Sequence, residues 1–154
     1  MRSIGLGSTA AGAVDLAYAI AFNSHAGIPA IVIPQSIASG LLGIRAFREG
    51  FASAALGVVL HFGILFVAAA IYFLASRKLT MLVTRPMMSG AFFGLGIYLF
   101  MHEIVLPLSA APEFKVTPVS AISDLAVHVV LIGPIIAWAV RRCHPRRIAD
   151  AAQE

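Results

Sequence analysis

Four long apolar runs, residues 5–25, 51–74, 86–106 and 120–140, dominate this 154-residue chain. Each approaches the ~20 residues a helix needs to cross a hydrocarbon core about 30 Å thick. Between them lie linkers too short and too apolar to build a separate core. Charge settles the class. Only 12% of residues are charged and 60% are hydrophobic, with a mean hydropathy of +0.92, whereas a soluble domain carries about 25% charged residues. Half that level leaves too few polar groups to face water on all sides. The expectation is one integral-membrane domain over residues 1–154, an all-α four-helix bundle with a basic cytoplasmic tail at 141–154.

The net charge of +4 does not mark a nucleic-acid binder, because the basic residues flank the apolar runs without aromatic interleaving. They orient the chain instead. Arg2, the second loop (Arg77, Lys78, Arg85) and the tail (Arg141, Arg142, Arg146, Arg147) hold eight of the eleven basic residues. Arg45, Arg48 and Lys115 supply the other three, partly offset by Glu49 and Glu113. The positive-inside rule then puts both termini in the cytoplasm. Asp15 interrupts the first run and hydrophobicity resumes beyond it, which argues against a cleaved signal peptide. Cys143 is the only cysteine, so neither an intrachain disulfide nor a CxxC redox pair can form.

In the first loop, residues 34–50 read as a short helix, with Ile37, Leu41, Ile44 and Phe47 on one face. Such a helix suits the outer membrane interface, with a re-entrant segment as the alternative because Gly40 and Gly43 make it bendable. Gly50 permits the turn into the second span. Pro107, Pro112 and Pro118 predict extended chain over 107–119.

Each span also carries ionisable groups, and they gather toward one end. Asp15, His61 and His128 fall near the middle of their spans or slightly outward. His102, Glu103 and Asp124 fall about five or six residues outward of the span centre, roughly 8–9 Å at 1.5 Å per residue. His25 stands at the outer mouth. Residues four apart share a helix face. Ser120, Asp124 and His128 therefore form one stripe; Ser53, Gly57 and His61 form another; Gly90, Gly94, Tyr98 and His102 form a third. Ala11, Gly12, Asp15 and Ala19 make a comparable strip. Small residues mark close helix approach in membranes, so Gly12, Gly57, Gly90 and Gly94 are expected packing positions and the ionisable groups should face neighbouring helices. Adjacent residues on a helix diverge by about 100°, so Glu103 should point elsewhere than His102: to another helix, a second copy or the outer interface. A charged Asp at a helix centre costs about 2.5–3.5 kcal/mol on the insertion scale, nearly cancelling the contribution of the few large apolar residues of the first span. That helix should depend on partners.

Three functions fit this pattern. The leading one is a non-catalytic accessory or assembly protein whose polar stripe holds helices together. The second is a small proton- or cation-translocating protein using the Asp/His cluster. The third is a metal-binding protein, with His61, His128, Asp15 and Asp124 as candidate ligands, although D-x3-H is far less diagnostic than a paired-Cys motif. No catalytic residue is assigned, since no nucleophile motif or phosphate-binding loop is present. No cofactor is expected apart from that alternative metal. The expected partners are the lipid bilayer and a second copy or another membrane protein, not nucleic acid.

The stretches "IASGLLG" (37–43), "LG-x3-H" (56–61), "VLPLSAAP" (105–112) and "VDLAYA" around Asp15 resemble a family of bacterial four-helix inner-membrane proteins of uncharacterised activity. The resemblance implies a multi-pass bacterial inner-membrane location and carries no reaction with it.

Overall fold

A computed structural model describes residues 2–114 and 116–142; Lys115 and the tail from Cys143 onward lie outside the described residues. Every regular element among the described residues is helical. Four helices are long and apolar enough to cross a membrane. They are α1 (Arg2–His25), α3 (Phe51–Ser76), α5 (Pro86–Leu108) and α6 (Pro118–Arg141). Two short helices complete the chain. α2 (Val32–Leu42) continues as a 3-10 stretch through Phe47, and α4 (Met81–Thr84) fills the tight second connection.

Local chemistry sets several boundaries. Pro86 opens α5 at a position where its missing N–H costs nothing. Thr117 and Ser120 form a reciprocal capping box around Pro118 at the start of α6. Gly50, at φ 60°, makes the turn into α3 that a side chain would strain.

The four long helices alternate in direction. α1 lies between α3 and α6, and α5 packs on the far side of α6. Thus the least apolar of the four helices lies between two others. The contacts are made at small residues. A side chain on Gly12 would strike Phe62, one on Gly57 the Pro34 backbone, one on Gly90 the Pro134 backbone, and one on Gly94 the carbonyl of His128. Gly133 faces Gly90 across the α5–α6 contact, and Gly7 faces Ala139 across α1–α6.

Toward the end of the bundle where α1 begins and α6 finishes, called the termini end, these approaches enclose an apolar core. Ala11, Leu65, Ala69, Tyr72, Ile132, Ile136, Ala137 and Val140 are buried together. Tyr72 is the polar member, and its hydroxyl donates to the Leu82 carbonyl at 2.9 Å and pairs with Ser89 at 2.8 Å. The opposite end carries the loops at 26–50 and 109–117, and is here called the loop end.

Two details correct the sequence reading. The expected helix at 34–50 runs instead from Val32 to Phe47. It seats Pro34, Gln35, Ala38 and Ser39 in the interior, while Leu41 and Ile44 stay 65% and 60% exposed. Gln35 donates to the Gly50 carbonyl and Ser53 to that of Ala46, fastening α2 across the first turns of α3. Second, Pro107 is not in extended chain: α5 continues to Leu108. The reason lies just upstream, where Met101–Val105 widens into a π turn. A proline removes one backbone donor and crowds the carbonyl four residues back, and a π adjustment re-satisfies the freed groups. The same device recurs in α6, with a π turn at His128–Ile132 ahead of Pro134.

Candidate functional site

All four long helices contribute ionisable side chains to one chain of contacts in the loop-end half. α1 brings Asp15, α3 His61, α5 His102, and α6 both Asp124 and His128. His61 Nε2 lies 3.8 Å from the Asp15 carboxylate. Asp15, Asp124 and His128 each place one donor atom within 4.8 Å of the others. Asp124 then stands 3.4 Å from His128 Nδ1 and 3.6 Å from His102 Nε2. The order is His61, Asp15, the Asp124–His128 pair, His102.

The imidazoles are oriented by backbone. His102 Nδ1 and His128 Nδ1 donate to the carbonyls one turn back, Tyr98 at 3.0 Å and Asp124 at 2.9 Å. In the neutral ring this leaves Nε2 as the nitrogen with a free lone pair. His61 is engaged differently, because its Nε2 donates to the Gly12 carbonyl at 3.0 Å. That bond crosses from α3 to α1 at the point where Gly12 lets the backbones close. Tyr98 stacks on His102 with ring centroids 4.1 Å apart and meets His128 edge-on at 5.8 Å, so one ring braces both imidazoles of the α5–α6 contact.

The carboxylates are held less firmly. The nearest partners of the Asp15 and Asp124 carboxylates are imidazoles at 3.4–3.8 Å, the closest being His128 Nδ1 on Asp124. Side-chain exposure is 9% at His61, 12% at His128 and 16% at Asp15, against 29% at His102 and 33% at Asp124. Tyr18 and Ser123 are hydrogen-bonded across α1 and α6 one turn beyond Asp15. Past them an open groove of about 610 Å³ is lined by Tyr18, Phe22, His25 and Thr117. In the other direction the site meets the apolar core around Leu65 and Ile132.

Of the six ionisable candidates, Glu103 is the one left out. It is exposed on the outside of α5 and makes no ion pair among the described residues. Of the four metal candidates, Asp15, Asp124 and His128 converge on one point, while His61 flanks it through Asp15. Three features escaped sequence reasoning: the Tyr98 brace, the Tyr18–Ser123 bridge, and the π turns that include His102 and begin at His128. The π turns had a signal, a proline inside each of two apolar runs. Tyr98 already stood in the His102 stripe.

In comparison with known proteins, no family model, no curated protein and no solved structure matches the chain.

Proposed function

We propose that this chain is a multi-pass protein of the bacterial inner membrane that takes up protons or cations at the Asp/His chain from the extracytoplasmic side. Membrane residence is supported by the four long helices and by an exterior studded with large apolar groups such as Val59, Phe66, Phe92 and Trp138. The basic-residue bias favours cytoplasmic termini, which makes the loop end extracytoplasmic and sets α2, with Leu41 and Ile44 outward, against the outer leaflet. The resemblance to bacterial inner-membrane proteins supports the same location.

One observation carries the functional part, the convergence of five ionisable side chains from four helices. An interhelical hydrogen bond returns about 0.6 kcal/mol on average, whereas each Asp costs about 2.5–3.5 kcal/mol on insertion. As glue alone, two aspartates are a net loss. Groups of this kind inside a membrane mark ion or proton sites. The apolar core beneath the site favours binding from one face over free conduction through a single copy.

An accessory or assembly role is the second reading. The exposed Glu103 on α5 favours it, since a carboxylate on an apolar face gains from a partner.

Two measurements test the proposal. For topology, Lys78→Cys should react with an impermeant thiol reagent from the cytoplasmic side alone and Glu113→Cys from the other. For function, chelator-stripped protein should take up protons or cations, read by calorimetry, and Asp15→Asn should lose that uptake while His25→Ala keeps it. Uptake indifferent to Asp15→Asn would leave assembly as the better account.

A further inference from the structure

The geometry points to a divalent first-row transition-metal site formed by Asp15, Asp124 and His128, with His102 as the closing ligand; we propose this as the identity of the cation, and it rests on the cation-uptake reading above. Three independent features lead there. One donor atom from each of the three residues lies within 4.8 Å of the other two. A tetrahedral site with bonds of 2.0–2.1 Å needs donor separations of about 3.3 Å, so modest side-chain closure completes it. Next, the Asp15 and Asp124 carboxylates approach each other with imidazoles at 3.4–3.8 Å as their nearest partners, and two carboxylates repel unless a cation or proton sits between them. Finally, His128 and His102 both commit Nδ1–H to a backbone carbonyl, the outer-shell arrangement that fixes a metal-binding imidazole.

The donor set selects the class of metal. Two carboxylates with one or two imidazoles and no thiolate suit zinc, iron(II) or manganese(II). Calcium takes six to eight oxygen ligands, and magnesium prefers oxygen donors and keeps several waters. His102 Nε2, 3.6 Å from Asp124 Oδ2, can swing in as the fourth ligand because α5 touches the site from the side opposite α1. The groove beside Tyr18 and His25 offers an entry path that ends at the Tyr18–Ser123 bridge.

The test uses the full chain in detergent or nanodiscs, stripped with chelator and titrated with Zn²⁺ by calorimetry and with Co²⁺ by visible absorption. The expected result is one ion per chain, with Co²⁺ bands of a low-symmetry, four- or five-coordinate nitrogen/oxygen site. Asp15→Asn, Asp124→Asn and His128→Ala should each weaken uptake by at least roughly tenfold, and His25→Ala by less than about threefold. Where a variant fails to fold, wild-type protein still decides: pulsed EPR with Mn²⁺ bound must show imidazole nitrogen coupling. Absent stoichiometric uptake, uptake insensitive to Asp15→Asn, or a bound ion without nitrogen coupling each overturns the proposal. If metal uptake fails while proton uptake still depends on Asp15, the site takes protons and only the metal assignment falls.

Discussion

The two halves of this bundle are built on opposite terms. In the termini-end half, Leu65, Tyr72, Ile132, Ile136 and Val140 interlock, and the one large polar group, Tyr72, has partners at 2.8 and 2.9 Å. In the loop-end half the side chains that meet are ionisable, they stand 3.4–3.8 Å apart, and their exposure reaches 33%. The same four helices make both halves. What differs is how each interface is held: by close contact in one, by charges left incompletely satisfied in the other. Packing is what ties helices together where lipid is as apolar as the core. Stability should therefore concentrate in the contacts of small and apolar residues, and chemistry in the loosely paired half.

The largest effect should come where the two halves join. Gly94 lies against the His128 carbonyl, so Gly94→Leu must push α5 off α6. We expect a loss of more than about 3 kcal/mol or failure to assemble. Gly96→Leu, with nothing near its added side chain, should stay within about 0.5 kcal/mol. Equal melting of the two variants in detergent would show that the α5–α6 contact does not hold the fold.

Within the apolar half, Ile136→Ala removes a fully buried side chain. The cost should be about 2 kcal/mol, at the low end of soluble-protein values because lipid solvates the unfolded reference almost as well. Val130→Ala on the outside of α6, where Val130 is 63% exposed, should cost less than about 0.5 kcal/mol. Unfolding in mixed micelles gives both numbers. A smaller loss at Ile136 than at Val130 would break the contrast between core and exterior.

Matched tyrosines sharpen it further. Tyr72→Phe leaves the Leu82 carbonyl with only the longer bond from Ser89 at 3.4 Å and should cost about 1 kcal/mol. Tyr18→Phe loses the bridge to Ser123 beside an open groove, where water can replace the partner, and should cost about half as much or less.

How much of this was readable beforehand follows from what each feature depends on. Span length and apolarity are local, so four helices were evident, and so was the crowding of ionisable groups toward one end. Which carboxylate meets which imidazole depends on helix order, and nothing in the chain says that α1 rather than α5 lies beside α3. The α2 helix shows the limit of a periodicity argument. Its apolar face at Ile37, Leu41 and Ile44 was legible, but the partner of α3 is the opposite face at Pro34, Ala38 and Ser39. Where lipid is the solvent, apolar residues can face outward and small ones make the contact. Pro107 misled for a related reason: a proline that ends a helix in water was accommodated here by a π turn.

The smallest effect is the most informative, because it asks whether the ionisable half behaves as one unit. Asp124→Asn and His128→Ala each remove one side of a pair 3.4 Å apart, and in Asp124→Asn the imidazole keeps its backbone bond. A coupling of about 0.5 kcal/mol is therefore expected from the double-mutant cycle, at the lower end for residues in one network. The exposed Arg45–Glu49 pair, with side chains 77% and 36% accessible, should give a coupling too small to resolve. Repeating the first cycle with Zn²⁺ at saturation separates the accounts of the site. If both side chains bind the ion, each single substitution already forfeits most of the ligand-linked stabilisation, and the apparent coupling must grow. A coupling unchanged by metal would mean that Asp124 and His128 lean on each other without sharing an ion, and the polar half would then be a looser version of the packing in the apolar half.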